Sequence, residues 1–209
     1  MRSKKALYPL TAMSVLAMLA NPGRAEAQFN PLSGIISGIE AAVEDRSSSD
    51  IATDLKLKTA IVATLSDKLG KEGALVGVDV YEQDVMLTGA VTTDAIKKQA
   101  EELTRKEKGV KKVYNELMLE AELAKKSKKG AAGSFVDDTV IEKKINVLFV
   151  EAKSINVTNF RWRSIKGHVF LFGRALSADE NARATKIAQG IENVQAVVNR
   201  AKVVPKAKK

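Results

Sequence analysis

The sequence predicts an α+β protein built from two tandem α-β-β-α-β domains, each a three-stranded mixed sheet with two helices on one face. The main observation is an internal repeat, because a block that starts at Val78 aligns without a gap to a block that starts at Trp162, 84 residues later. A second observation is that the hydrophobic period changes from helical to alternating at corresponding points of both blocks. In each block a strand, a helix and a strand follow one another, which predicts a right-handed crossover and parallel pairing.

The first repeat, residues 51–119, divides into five predicted elements. In order they are a helix over 51–68, strands over 76–80 and 85–87 that turn at 82–84, a helix that is capped by Thr92 or Thr93 and runs to 106, and a strand over 110–119. The apolar stripe of the first helix is expected to be Leu55, Ile61, Val62 and Leu65. Gly89 ends the hairpin, where it serves backbone geometry at a bulge or close approach.

The second repeat, residues 136–204, follows the same order. Its predicted elements are a helix to 151 capped by Asp137 or Asp138, strands over 160–165 and 169–173 that turn at 166–168, a helix that ends at Gly190, and a strand over 194–204. Ser177 and Glu180 have capping-box spacing, in which the glutamate reaches back to the amide of the cap residue. The core stripe of the first helix is expected to be Ile141, Ile145 and Leu148.

Residues 1–27 have the pattern of a secretory signal peptide. Basic residues precede an apolar run, Leu7 to Ala20, which is too short for a membrane span and is followed by an Ala-x-Ala cleavage pattern. Cleavage after Ala27 would place the mature chain outside the cytoplasm. The sequence contains no cysteine, so we expect no disulfide and no lipidated cysteine.

Three further segments connect or flank the repeats. Residues 28–50 are expected to be a leader and linker that ends in a serine run, residues 120–135 a basic, solvated linker, and residues 205–209 a basic tail. The formal net charge is +9, and within the repeats the surplus lies in the second copy. A basic surface favours anionic partners, either lipid headgroups or nucleic acid, but the predicted export and the lack of an aromatic stacking platform argue against nucleic acid.

The pattern shared by the two copies resembles the BON domain family. The matching residues are Val85, Leu87, Gly89, Gly109, Val110, Val113 and Asn115 in the first copy, and Val169, Leu171, Gly173, Val194, Val197 and Asn199 in the second. Asn193 replaces Gly109 in the second copy, a departure expected to weaken that turn. The resemblance implies a non-enzymatic, dual-domain envelope protein at the periplasmic side of the outer membrane. It also implies phospholipid binding that supports membrane integrity under osmotic stress.

Catalytic and metal-binding patterns are absent from the sequence. His168 is the single histidine and falls at a predicted turn, where an exposed, non-catalytic role is expected. One histidine and no cysteine exclude ordinary zinc sites and make a histidine-based triad implausible, and there is no phosphate-binding glycine motif. We therefore expect no enzyme activity, no metal and no cofactor.

A lipid-binding face is predicted on the first helix of the second repeat. At about 100° per residue, the outward side chains are those of Val140, Lys143, Lys144, Val147 and Val150. Lysines beside valines suit an anionic membrane surface, since the lysines meet headgroups while the valines enter the interface. The alternative is that the valines pack against the other domain or the linker.

The open sheet faces are the second candidate site. The side chains expected to face away from the helices are Ile165, Phe170 and Phe172 in the second repeat, and Tyr81 and Met86 in the first. Exposed apolar faces usually mark interfaces, so we expect these to cover each other or to meet a protein partner. The leading function is therefore a periplasmic protein that binds anionic phospholipid. The alternative is an interaction module for an outer-membrane assembly factor or a peptidoglycan-associated protein.

Overall fold

The computed structural model describes residues 45–127 and 137–205, with the side chains of 125–127 excepted. The predicted signal peptide, its cleavage site, most of the leader, part of the basic linker and most of the tail lie outside these residues.

Each repeat folds as predicted into a small α+β domain. The first forms α1 (Ser48–Leu69), α2 (Lys71–Ala74), β1 (Gly77–Tyr81), β2 (Asp84–Thr88), β3 (Ala90–Val91), α3 (Asp94–Lys106), β4 (Lys112–Asn115) and β5 (Met118–Leu119). Helix α4 (Glu120–Ser127) follows it. The second forms α5 (Asp138–Glu151), a 3-10 turn (Val157–Asn159), β6 (Phe160–Ile165), β7 (His168–Ala175), α6 (Ala178–Gln189), β8 (Ala196–Asn199) and β9 (Lys202–Val203).

The two sheets have the same topology. In the first, strand order is β1-β2-β4, with an antiparallel hairpin and a parallel β2–β4 pair. In the second, the order β6-β7-β8 repeats that arrangement. Short parallel pairs, β3 with β5 and β7 with β9, extend each sheet. The mixed sheet with a parallel crossover is thus confirmed.

Each first helix covers its sheet with a stripe spaced by four residues, which corrects the predicted stripes. Helix α1 buries Leu57, Ile61 and Leu65, whereas Leu55 is exposed and Val62 only partly buried. Helix α5 buries Ile141, Ile145 and Phe149, whereas Leu148 points outward. A spacing of four keeps side chains on one slowly turning stripe, so Phe149 and not Leu148 continues from Ile145.

An aspartate in the first turns of each of these helices holds the tip of the hairpin. The Asp54 carboxylate accepts hydrogen bonds from the backbone amides of Glu82, at 2.7 Å, and Gln83, at 2.8 Å. Asp138, its counterpart, accepts from the amides of residues 166 and 167 at 2.7 and 2.9 Å. Asp137 is therefore the residue that caps α5. His168 is the first residue of β7 and is buried, contrary to the expectation of an exposed turn residue.

The repeated glycines are required by backbone geometry. Gly89 and Gly173 have φ angles of 128° and 111°, in the region that favours glycine. A Cβ on Gly89 would lie 2.7 Å from the Leu75 carbonyl oxygen, and one on Gly173 would overlap the Asn159 carbonyl oxygen. Both positions therefore combine a positive φ with close backbone approach.

The repeated asparagines interrupt the last strand of each domain, which is why the continuous strands predicted over 110–119 and 194–204 are each two pieces. Asn115 Oδ1 accepts from the amide of Leu117, and Asn199 Oδ1 accepts from the amide of Ala201. The side-chain amide of Asn115 also donates to the carbonyl of Lys97, which ties the turn to α3. These asparagines have a structural role.

Four local predictions are corrected. Ser47 caps α1 by accepting from the Asp50 amide, so the serine run begins a helix and is not a linker. Helix α4 occupies the first half of the predicted linker. Asn193 adopts a φ of 68°, so the turn is retained without glycine.

The fourth correction concerns the capping box at the start of α6. Ser177 accepts from the amide of Glu180 as predicted. The Glu180 carboxylate, however, accepts from the amides of Leu176 and Asn156 instead of the amide of Ser177. It therefore joins the start of α6 to the segment that precedes β6.

Candidate functional site

The sheet faces that point away from the helices pack against each other. Tyr81 and Met86 from the first repeat and Phe170 and Phe172 from the second are buried in one apolar cluster, with Ile165 partly buried against it. The Tyr114 ring meets Phe172 edge to face, with centroids 5.8 Å apart. The described domains therefore stack in four layers, with a helical layer on each outer side and two sheets between them.

Equivalent positions of the two repeats contact each other across this interface. Arg163 donates to Asp79 at 3.0 Å, and Arg200 donates to Glu116 at 2.6 Å. Each pair is separated by 84 residues, the offset of the repeat. Contacts between equivalent positions are what an isologous interface produces, so the two domains are related by an approximate twofold axis.

The ion pairs between described residues of the two repeats have a common polarity. The acids are on the first domain and the bases on the second: Asp79–Arg163, Glu82–Arg174 at 3.1 Å, Asp84–Lys202 at 2.6 Å, and Glu116–Arg200. Asp79 and Asp84 are buried, and the negative charge of Asp79 raises the pKa of Arg163. Burial opposes the charged form of Lys202, but the hydrogen bond and charge of Asp84 outweigh it and raise its pKa.

Two further charges, from the first helices, lie at equivalent positions beside the Asp79–Arg163 pair. Lys58 Nζ is 3.8 Å from Asp79 Oδ1, and Glu142 accepts a hydrogen bond from the amide of Ser164 in edge strand β6. Burial lowers the pKa of Lys58 and raises that of Glu142, since it penalises both charged forms. Charge therefore alternates along Lys58, Asp79, Arg163 and Glu142.

A short segment before α1 contacts both domains. Asp45 accepts hydrogen bonds from the side-chain amides of Asn156, at 2.7 Å, and Asn159, at 3.1 Å, in the second domain. Arg46 forms an ion pair with Asp54 and stacks 3.8 Å from the Tyr81 ring centroid in the first. Sequence reasoning assigned this segment to a leader, because nothing in its composition indicates that adjacent residues bind different domains.

The outer face of α5 carries exposed apolar side chains. The exposed fractions are 44% for Val140, 53% for Val147, 37% for Leu148 and 59% for Val150. Lys143 and Lys144, which were predicted to lie on this face, are also exposed on it. Leu148 also lies on this face, although it was predicted to be in the core. We call these six residues the α5 outer face. None of the three valines is buried by the described residues of the chain.

The same face of α1 is more polar. Lys56 and Thr59 stand at the positions of Val140 and Lys143, and Leu55 is the large exposed apolar side chain on that helix. On α5, Lys144 lies 3.8 Å from Glu192, with both side chains in solvent, so the pair is weak and leaves the lysine available to another anion. The two outer helical layers are thus chemically different.

Over residues 45–127 and 137–205, no three histidine, cysteine or acidic side chains are grouped so that they could hold a metal ion. No helix in those ranges is both long and apolar enough to cross a membrane.

Sequence reasoning missed the charged contacts between the domains, although the alignment of the repeats contains a signal for them. Positions 58 and 142, 79 and 163, and 116 and 200 carry opposite charges in the two copies. Repeat-equivalent residues of opposite charge can form ion pairs if they meet at a twofold axis. That condition depends on the packing of the sheets, which the alignment does not give.

Comparison with known proteins agrees with the fold. Residues 53–121 and 137–205 each match the BON domain. The "21 kDa hemolysin" of Actinobacillus pleuropneumoniae is 26% identical over 157 residues, which cover 75% of this chain and 77% of that protein.

Two solved structures of CdsD, a structural protein of the type III secretion system of Chlamydia trachomatis, also match. One, of the C-terminal domain, has a TM-score of 0.29 at 16% identity and covers 70% of this chain and 65% of that one. The other has a TM-score of 0.30 at 12% identity and covers 70% and 93%. Since the BON matches take in most of the chain and agree with the two folded repeats, this protein belongs to the BON domain family and carries two copies of the domain.

Proposed function

We propose that this protein binds the surface of anionic phospholipid membranes through the α5 outer face. BON proteins are generally envelope-associated, and the BON domain is a non-catalytic binding domain. A periplasmic location, peripheral to the outer membrane after cleavage at Ala27, and a role in membrane integrity under osmotic or envelope stress complete the proposal. The name of the hemolysin relative makes a membrane a reasonable first ligand to test.

The observation that carries the proposal is the combination of four exposed apolar side chains and two lysines on one helix. Val140 and Val147 lie near the centre of the α5 outer face, Leu148 and Val150 lie at its borders, and the lysines are interspersed. A helix of this kind lies in the plane of a membrane with its apolar side chains at the headgroup boundary. Among the described residues, the interdomain interface lies on the other side of the domain and leaves this face exposed.

Electrostatics supports an anionic membrane over a neutral one. The second repeat is basic and the first is electrically neutral. A lysine close to an anionic surface contributes about 1 kcal/mol, and this attraction weakens as salt rises. We therefore expect binding that requires anionic lipid and declines at high salt.

The test is co-sedimentation with phosphatidylcholine vesicles and with vesicles containing phosphatidylglycerol, at low and high salt. Replacing Lys143 and Lys144 by alanine should weaken binding to anionic vesicles about 10- to 30-fold at low salt. The matched control replaces Lys106 and Lys108, two exposed lysines of the first repeat, and should leave binding nearly unchanged. Equal loss in both variants would indicate nonspecific attraction and contradict the assignment to α5.

A second pair of variants tests the apolar part of the face. Val147→Ser should weaken binding, because a valine side chain that enters the membrane interface contributes through the apolar area that it removes from water. Leu55→Ser, at an exposed apolar position of α1, is the control and should bind like the unmodified protein. If the protein binds neither type of vesicle, the proposal fails, and the α5 outer face becomes a candidate surface for an envelope protein partner.

A further inference from the structure

We propose that the packed sheet faces form a recognition surface for unlike partners, on which inverted charges make each domain accept the other domain and reject a copy of itself. The proposal concerns the interface between the domains and is independent of lipid binding.

The geometry supplies the first step. Because the domains are related by an approximate twofold axis, Asp79 meets its own counterpart, Arg163, and Glu116 meets its counterpart, Arg200. Two copies of the first domain packed in the same way would place Asp79 against Asp79 and Glu116 against Glu116. Two copies of the second would place arginine against arginine at both positions.

Burial makes the mismatch costly at the centre of the interface. Asp79 is buried and Arg163 is mostly buried, so the like charges of a self-pair would meet away from water, where screening is weak. Lys58 beside Asp79 and Glu142 beside Arg163 carry the opposite charge and would offset only part of this repulsion. The central pair therefore discriminates more strongly than the exposed pair of Glu116 and Arg200.

The apolar cluster does not discriminate in this way. Met86 and Phe170 occupy equivalent positions, and both are uncharged, apolar and fully buried. At this position either face would also bury apolar area against a copy of itself. Apolar attraction therefore does not distinguish one sheet face from the other. The choice of partner rests on the ion pairs between the domains, which have the acid on the first domain and the base on the second.

The test uses three variants of the full chain and follows closure of the two domains by small-angle scattering. The acidic variant, Arg163→Asp with Arg200→Glu, places acid against acid at the two repeat-equivalent pairs. The basic variant, Asp79→Arg with Glu116→Arg, does the reverse. The neutral variant, Asp79→Asn, Glu116→Gln, Arg163→Gln and Arg200→Gln, removes both ion pairs without introducing repulsion.

We expect the acidic and basic variants to open, with an increased radius of gyration, while the neutral variant stays closed. A closed acidic or basic variant would overturn the proposal. Equal opening of the neutral variant would also overturn it, because loss of attraction would then explain the result without rejection of like faces.

Mixing the acidic and basic variants provides a test between chains. Each acidic face of one chain then finds a basic face on the other, and a one-to-one dimer of twice the chain mass should form in size-exclusion chromatography with light scattering. Each variant by itself should not give this species. Two separate monomers in the mixture would overturn recognition of unlike faces.

Circular dichroism checks that the variants fold. If the acidic variant unfolds, Arg200→Glu tests the same inference, because its side chain is partly exposed and its replacement spares the buried centre. This variant should open more at low salt than at high salt, since the introduced repulsion is screened. A radius of gyration equal to that of the unmodified protein at low salt would contradict the inference.

Discussion

Helices α1 and α5 occupy the same place in their domains but present different outer faces. Both bury three apolar residues spaced by four and both hold a hairpin tip with an aspartate. Away from the core, α1 is largely polar, whereas α5 exposes three valines and a leucine. The buried side of a repeat is therefore restricted by the fold, while its outer side is free to differ and can acquire a binding role.

The two apolar surfaces of the second domain give the largest expected difference in stability. Phe172→Glu places a charge in the buried cluster between the domains, so the free energy of unfolding should fall by about 4–5 kcal/mol. Val147→Glu introduces the same charge on the exposed α5 outer face and should change it by less than about 0.5 kcal/mol. Urea unfolding measures both, and similar values would contradict the assignment of one surface to the interior and the other to solvent.

Buried and exposed ion pairs of the interface should differ next. Arg163→Ala leaves Asp79 buried with Lys58 as its remaining nearby cation, and we expect a loss of about 3 kcal/mol. Arg200→Ala, at the solvent-exposed pair with Glu116, should cost less than about 1 kcal/mol. Thermal unfolding checks this order, and a reversed order would show that burial does not determine the strength of these pairs.

Two glycines of positive φ, Gly173 and Gly109, distinguish the cost of an unfavourable φ from the cost of close backbone approach. Gly173→Ala combines an unfavourable φ with overlap against the Asn159 carbonyl, so we expect a loss of about 2–3 kcal/mol. Gly109→Ala has a φ of 104° but nothing within 4 Å of the added Cβ, and should lose about 1 kcal/mol. Equal losses in denaturant titrations would mean that close approach of the backbone at Gly173 contributes little.

The smallest expected effect is a change in the pH dependence of stability. Burial raises the pKa of Glu142 in the folded protein above its usual 4.5. The contribution of this group to the free energy of unfolding is therefore fully present below pH 4.5 and is lost as the pH rises through the folded pKa. Glu142→Gln should remove that loss. The free energy of unfolding of the variant, relative to that of the unmodified protein, should therefore be more favourable at pH 7 than at pH 4.

Glu101 is the control of opposite sign. Hydrogen bonds from Asn115 and from Arg105 lower the pKa of Glu101 in the folded protein. The contribution of Glu101 to the free energy of unfolding is therefore present above pH 4.5 and is lost as the pH falls through the folded pKa. The free energy of unfolding of Glu101→Gln, relative to that of the unmodified protein, should consequently be less favourable at pH 7 than at low pH. Slopes of the same sign in the two variants would contradict the assigned environments.

The sequence was most informative where local chemistry and repetition agree. The hairpins, the Ser177 cap and the parallel crossover follow from alternation, side-chain caps and chain order. For the cap of α3 the sequence left Thr92 and Thr93 open, and Thr93 is the residue used. The predicted helical stripes were partly wrong, because Leu148 and Phe149 are adjacent apolar residues and a shift of one residue exchanges the buried and exposed positions. Five of the six residues of the α5 outer face follow from the helical period, whereas the sixth, Leu148, was assigned to the core.

Long-range contacts between charged residues were beyond reach. Nothing local shows that Lys58 approaches Asp79 or that Asp45 reaches Asn156. Nor does it show that Glu180, three residues after the capping Ser177, accepts from the distant amide of Asn156. These contacts depend on how domains and loops are placed in three dimensions. Composition reveals the charges but not their partners.

The hairpin tips, each held by a helix aspartate, also determine whether free anions can reach the backbone amides there. Consecutive backbone amides in a tight turn form a concave nest that attracts phosphate or carboxylate. At residues 166 and 167 the Asp138 carboxylate already fills this nest, as Asp54 does at the tip of the first hairpin. A phosphate would have to displace a tethered carboxylate to bind there. Shortening Asp138 to alanine would vacate the nest and create an anion site that the natural protein keeps closed.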